Sequence, residues 1–113
     1  MINELYTDTE SWTALKSLEV KSARGDMARE WGADTSIGTD GVFLAHSRML
    51  AERETRIYEK MDVDTVKRIY CDVNALTIKH RLRDPNGQDW NIISVDNPHN
   101  FDEFLQVDIV RIV

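Results

Sequence analysis

One tetrapeptide, Asp84-Pro85-Asn86-Gly87, constrains the fold of this chain more than any other feature. Proline holds φ near about −65° at the first corner of a turn. Asparagine tolerates the second corner, and glycine accepts the left-handed conformation that returns the chain through a bulge. Gly87 is thus the sensitive position of the turn and Gln88 its tolerant neighbour. Leu82 leads in, and Trp90-Asn91-Ile92-Ile93-Ser94-Val95 leads out with strand character. Around this hairpin, residues 66–113 read as four short strands. The first is Val66-Lys67-Arg68-Ile69-Tyr70-Cys71-Asp72-Val73 and the last is Leu105-Gln106-Val107-Asp108-Ile109. Leu76 and Ile78 mark a bridging segment. Residues 96–104 are a polar loop with Pro98 as its stop.

Upstream the pattern thins. Leu18 and Val20 alternate with Glu19 and Lys21, which predicts a strand over 13–21, followed by a turn at Arg24-Gly25-Asp26. Residues 1–12 read as a turn of helix or a loose arm anchored by Leu5, Tyr6 and Trp12. Residues 27–37 are ambiguous. Gly38-Thr39-Asp40-Gly41 is a loop, and Val42-Phe43-Leu44-Ala45 is an apolar run of strand length. Residues 48–61 contain good helix formers and no glycine or proline, with Leu50, Ile57, Tyr58 and Met61 at helical spacing. The expectation is one mainly β, antiparallel domain spanning residues 1–113, with one short helix or long inter-strand loop.

Composition narrows the function classes. The formal net charge is −6, and residues 1–43 hold most of it, with four basic and eight acidic groups. An acidic chain repels phosphate backbones, which disfavours a dedicated nucleic-acid binder. The single cysteine, Cys71, allows no internal disulfide and reads as core packing. No apolar run approaches the length of a membrane span. His46, His80 and His99 have no second ligand at metal-binding spacing, and Asp62 and Asp64 lack the rest of a calcium loop. No nucleophile elbow or glycine-rich phosphate loop appears. Neither a metal, a cofactor nor an enzymatic activity is expected. The densest basic run is Lys79-His80-Arg81-Leu82-Arg83. It reads either as an edge strand whose charges discourage aggregation or as a contact cluster of Lys79, His80, Arg81 and Arg83 for an acidic partner or passing DNA.

The order of elements in residues 66–113 carries a resemblance. A strand ends in Tyr70-Cys71-Asp72, and Leu82 precedes a turn. Gly87, Trp90, Ile92 and Val95 follow, then a polar loop and the closing Leu105-Gln106-Val107-Asp108. This order is similar to that of the small head–tail joining, or head-closure, proteins of tailed bacteriophages, the adaptor and stopper components stacked beneath the portal. The resemblance implies a small β-barrel-like domain forming a homo-oligomeric ring around the DNA channel. It also implies a portal or adaptor protein and a tail-completion protein as partners, and transient, non-specific contact with genomic DNA without a membrane. The implied location is the head–tail interface of the virion, reached from the host cytoplasm during assembly. In stopper members an extended inter-strand loop lines or plugs the channel. Residues 47–64 occupy the comparable place, which makes Arg48, Glu52, Arg53, Glu54, Arg56, Glu59 and Lys60 the candidate channel or gate segment. A monomeric barrel of the oligonucleotide-binding type fits the same set of strands and helix.

Overall fold

A computed structural model describes residues 8–21, 25, 27–49, 66–100 and 102–112. They form seven strands: β1 (Glu10–Lys21), β2 (Met27–Ala33), β3 (Val42–Met49), β4 (Val66–Cys71), β5 (Arg81–Arg83), β6 (Asp89–Asp96) and β7 (Leu105–Arg111). A 3₁₀ turn, Pro98–Asn100, sits between β6 and β7. The sheet runs β2-β1-β3-β4-β7-β6-β5, and β5 pairs back onto β1. Every pairing is antiparallel. Six strands therefore close into a barrel, and β2 lies outside it as an extra strand on β1.

Alternation along the strands fills the barrel. Trp12 and Ala14 of β1, Ala45 of β3, Ile69 and Cys71 of β4, and Leu82 of β5 all face inward, together with alternate residues of β6 and β7. Ile37 and Leu76 plug in from loops. The rings of Trp12 and Trp90 meet at 6.3 Å between centroids, tilted by 59°, a geometry worth roughly 0.5–1.5 kcal/mol beyond area burial. A barrel this narrow holds side chains and leaves no channel.

The barrel's closure depends on how β1 shares its edges. Along one edge β1 pairs with β3 over 10–13 and with β2 over 15–21. Ala14 is the joint: its N–H donates to the Gly41 carbonyl and its carbonyl accepts from Asp34 N–H, both at 2.8 Å. In effect β2 and β3 are one long strand interrupted by an excursion over 34–41. Gly41 closes the excursion at φ 88°, where a Cβ would meet the Ala33 Cβ at 3.2 Å and the Asp34 carbonyl at 3.3 Å. On its opposite edge β1 pairs with β5 over 13–15.

Several expectations change here. β1 begins at Glu10, so Trp12 belongs to the barrel interior and not to an arm; the polar–apolar alternation from Glu10 to Ala14 is real, but alanine is a weak strand signal. Residues 27–33 resolve as strand because β1 offers them a ladder. Arg48 and Met49 end β3 instead of starting a helix, and the remainder of that stretch, with Glu52, Arg53, Glu54, Arg56, Glu59 and Lys60, lies outside the described residues. β4 stops at Cys71, leaving Val73 in an exposed loop. β5 is not an edge strand, since β6 and β1 flank it.

The hairpin turn is as the sequence predicts, with one addition. Gly87 has φ 85°, and its N–H donates to the Asp84 carbonyl at 3.0 Å. The Asp84 side chain organises the rest. Its Oδ1 accepts from the N–H groups of Asn86 and Gln88, both at 2.9 Å, and its Oδ2 accepts from the Trp90 indole N–H at 3.1 Å. Gln88 is not a neutral neighbour, because its Nε2 donates to the Ile112 carbonyl at 2.7 Å and ties the turn to the end of β7. A Cβ at Gly87 would touch nothing within 4 Å, so Gly87→Ala is expected to cost only its backbone strain, about 1 kcal/mol. Asp84→Ala strands three donors and is expected to cost about 2–3 kcal/mol. Urea unfolding of the two variants checks the order; Gly87→Ala as the larger loss would contradict it.

Candidate functional site

Two loops converge on one flank of the barrel, the excursion over 34–41 and the connection over 72–80. Asp34 is buried at the start of the first. Its Oδ1 accepts from the Ser36 hydroxyl at 2.6 Å and from Ser36 N–H at 3.1 Å. Its Oδ2 accepts from His80 Nε2, at the end of the second loop, at 2.9 Å. The tautomer follows from the other ring nitrogen. Thr77 N–H donates to His80 Nδ1 at 3.1 Å, so Nδ1 is the acceptor and Nε2 carries the hydrogen. Hydrogen bonds from the Ser36 hydroxyl, then from His80 and Ser36 N–H, hold the Asp34 carboxyl well below the usual carboxylate range; burial opposes this and Lys16, 3.9 Å away, adds a little.

This junction recasts the basic run. His80 is committed to Asp34. Arg81 stacks on the Trp31 ring, 4.2 Å from its centroid, and donates to Asn91 Oδ1 at 3.2 Å. Arg83 forms a two-bond pair with Asp89 at 2.8 and 3.3 Å. Lys79 is exposed and has no charged partner among the described residues. The four residues are neighbours in sequence, yet the strand and its loop send them to different partners. Arg48, the one described member of the gate segment, donates from Nε to the Tyr70 hydroxyl at 3.1 Å on the outer wall. That wall also holds a buried two-bond pair between Arg68 and Asp108, at 2.7 and 3.1 Å, which sit opposite each other in the β4–β7 ladder.

Between the two loops lies an open groove of about 520 Å³. Val42, Phe43 and Leu44 of β3 and Ser11 of β1 form its floor; Gly38 and Thr39 stand on one side and 72–74 on the other. Val42, Leu44 and Val73 are each exposed by two-fifths or slightly more. Exposed apolar side chains gathered at a recess mark a contact surface more than scattered ones do. The Asp34–His80 bond ties together the two loops that flank the groove. Beyond the Asp34-Thr35-Ser36 turn pattern this site is not legible in the sequence, because its parts come from separate stretches. Among the described residues no group of three His, Cys, Asp or Glu side chains is placed to hold a metal ion, and no helix is long and apolar enough to cross a membrane.

No family model matches the chain, and no curated protein matches it. Among solved structures it is similar to the solution structure of protein SF1141 from Shigella flexneri 2a, with a TM-score of 0.68 and 14% identity over 90% of each chain. At that identity the likeness is one of fold.

Asp34 gives the site a pH signature. A carboxyl whose folded pKa is depressed contributes stability in full above the unfolded range, from about pH 5, and loses it as pH falls below about 4. Asp34→Asn is expected to lower stability at neutral pH and to flatten its decline between about pH 5 and 2. Urea midpoints across that range provide the measurement, and a variant curve parallel to the native one would refute the assignment.

Proposed function

We propose that the chain is a structural, non-enzymatic subunit of the head–tail junction of a tailed bacteriophage, assembled as a ring below the portal to help close the DNA-filled head. The observation that carries this reading is the combination of a closed, filled barrel with a ribbon, β1 beyond residue 15 together with β2, standing outside the barrel wall. A compact body with one projecting element suits a subunit that must reach its neighbour. The segments that carry the resemblance are β4, β5, β6 and β7, which form one continuous wall in the order β4-β7-β6-β5. Because the barrel is filled, DNA would run between subunits, past walls of a chain with net charge −6. Such walls repel phosphate and let DNA slide.

The oligonucleotide-binding reading has less support. That fold closes with five strands, whereas six close this one, and the guanidinium groups of Arg81 and Arg83 are already engaged. Two experiments bear on the choice. Immunogold labelling of particles induced from a strain carrying the gene is expected to mark the neck between head and tail; particles without label, or labelled elsewhere, would overturn the proposal. Fluorescence anisotropy with short DNA is expected to give a Kd weaker than about 1 µM at about 150 mM salt, and tighter binding would favour the binding module.

A further inference from the structure

Two dipeptides of this chain are open to the same self-reaction, and the fold treats them oppositely. In an Asn-Gly or Asp-Gly pair the glycine nitrogen can attack the preceding side-chain carbonyl carbon, because no Cβ on the glycine obstructs the approach. The chain holds one of each, Asn86-Gly87 and Asp40-Gly41. We propose that Asn86 is a site of spontaneous modification in the folded protein, cyclising with Gly87 to a succinimide that opens to isoaspartate or aspartate, whereas Asp40 is shielded from the same reaction. Gly87 N loses its proton to solvent base and bonds to Asn86 Cγ. The side-chain nitrogen takes a proton back and leaves as ammonia. Water then adds to one of the two ring carbonyls, and the bond from that carbon to the ring nitrogen breaks. Addition at the main-chain carbonyl gives isoaspartate, and addition at the side-chain carbonyl gives aspartate.

Space and hydrogen bonding separate the two sites. Pro85, Asn86 and Gly87 are all exposed. A Cβ built on Gly87 meets nothing within 4 Å, so a five-membered ring has room there. Among the described residues the Asn86 side-chain amide has no hydrogen-bond partner to hold it away from its neighbour. One bond opposes the attack, from Gly87 N–H to the Asp84 carbonyl at 3.0 Å. It lies in an exposed turn, where local opening is easy. Gly41 is buried instead. Its N–H donates to the Ile37 carbonyl at 2.9 Å, and its carbonyl accepts from Ala14 N–H at 2.8 Å. A Cβ there would come within 3.2 Å of the Ala33 Cβ and 3.3 Å of the Asp34 carbonyl. A ring at 40–41 would have to displace the joint that holds β1. The consequence of conversion at 86 reaches the barrel. Isoaspartate adds a carbon to the main chain within the span that Asp84 grips by the N–H groups of Asn86 and Gln88. Either product sets a carboxylate near that of Asp84, and like charges oppose each other. Asp84 also holds the Trp90 indole N–H. The turn it organises follows β5, the three-residue strand that closes the barrel onto β1. Conversion of Asn86 therefore loosens the closing strand.

The test incubates the purified chain in mildly alkaline buffer and, in parallel, the same chain unfolded in guanidinium chloride. Peptide mass spectrometry with isoaspartate-specific fragmentation follows residues 86 and 40. Each site's rate in the folded chain is divided by its own rate in the unfolded chain, which cancels the slower intrinsic reaction of aspartate. The ratio at Asn86 is expected to exceed that at Asp40 by at least about tenfold. Gly87→Ala is expected to slow the loss of Asn86 several-fold, because its Cβ crowds the attacking nitrogen. Asp84→Ala is expected to speed that loss several-fold in the folded chain and to leave the unfolded rate unchanged. Converted protein, separated by ion exchange through its added charge, is expected to unfold at lower urea than the parent. Equal ratios at the two sites, an Asn86 that persists in the folded chain while the unfolded chain converts, or a Gly87→Ala rate equal to the native one would overturn the site. A converted protein with the parent's urea midpoint would overturn its link to closure. None of these outcomes bears on the head–tail reading, which particle labelling tests.

Discussion

The fold hangs on β1, and within β1 on the residue where its partners change. Ala14 gives both backbone groups to the ends of the 34–41 excursion while its side chain points into the barrel. On one side of that joint β1 holds β3, on the other it holds β2, and across its opposite edge it holds β5. One strand therefore closes the barrel and carries the ribbon out of it. The joint tolerates the interruption because Gly41 lets the chain return in a left-handed conformation at a place where a side chain would collide. Closure pairs the six barrel strands edge to edge, and among the described residues the ribbon outside keeps unpaired edges on β2 and on β1 beyond Leu15.

Acidic residues do structural work at three joints. Asp84 binds three donors and ties the turn to Trp90. Asp34 joins two loops through Ser36 and His80. Asp108 pairs with Arg68 across neighbouring strands on the outer wall. Desolvating a carboxylate is costly, and each of these recovers the cost through several well-formed hydrogen bonds. The net charge of −6 is thus more than a solvated surface, and part of it is the mortar between elements. The basic run around β5 makes no uniform patch for the same reason: His80 serves Asp34, Arg83 serves Asp89, and Arg81 lies between Trp31 and Asn91.

For the proposed ring, the consequence is a division of labour. The barrel is a filled body, and the β1–β2 ribbon stands outside its wall as a separate element. Likeness to protein SF1141 at 14% identity is one of architecture alone.

The C-terminal half was legible in the sequence because its signals are local. Pro85, Asn86 and Gly87 specify a turn by their own backbone preferences, and the β-branched and aromatic residues beside them specify strands. The N-terminal half was legible only in part. Trp12 and Ala14 alternate with polar residues over too short a span, and residues 27–33 have no intrinsic bias that outweighs a ladder from β1. The sequence by itself determined an antiparallel β-domain, its hairpin and its lone buried thiol. Tertiary structure alone decided that the barrel closes, that β2 stays outside, and that Asp34 meets His80 across 46 residues. The physical reason is that strand character and turn geometry belong to neighbouring residues, whereas closure and the groove arise from pairings between distant ones.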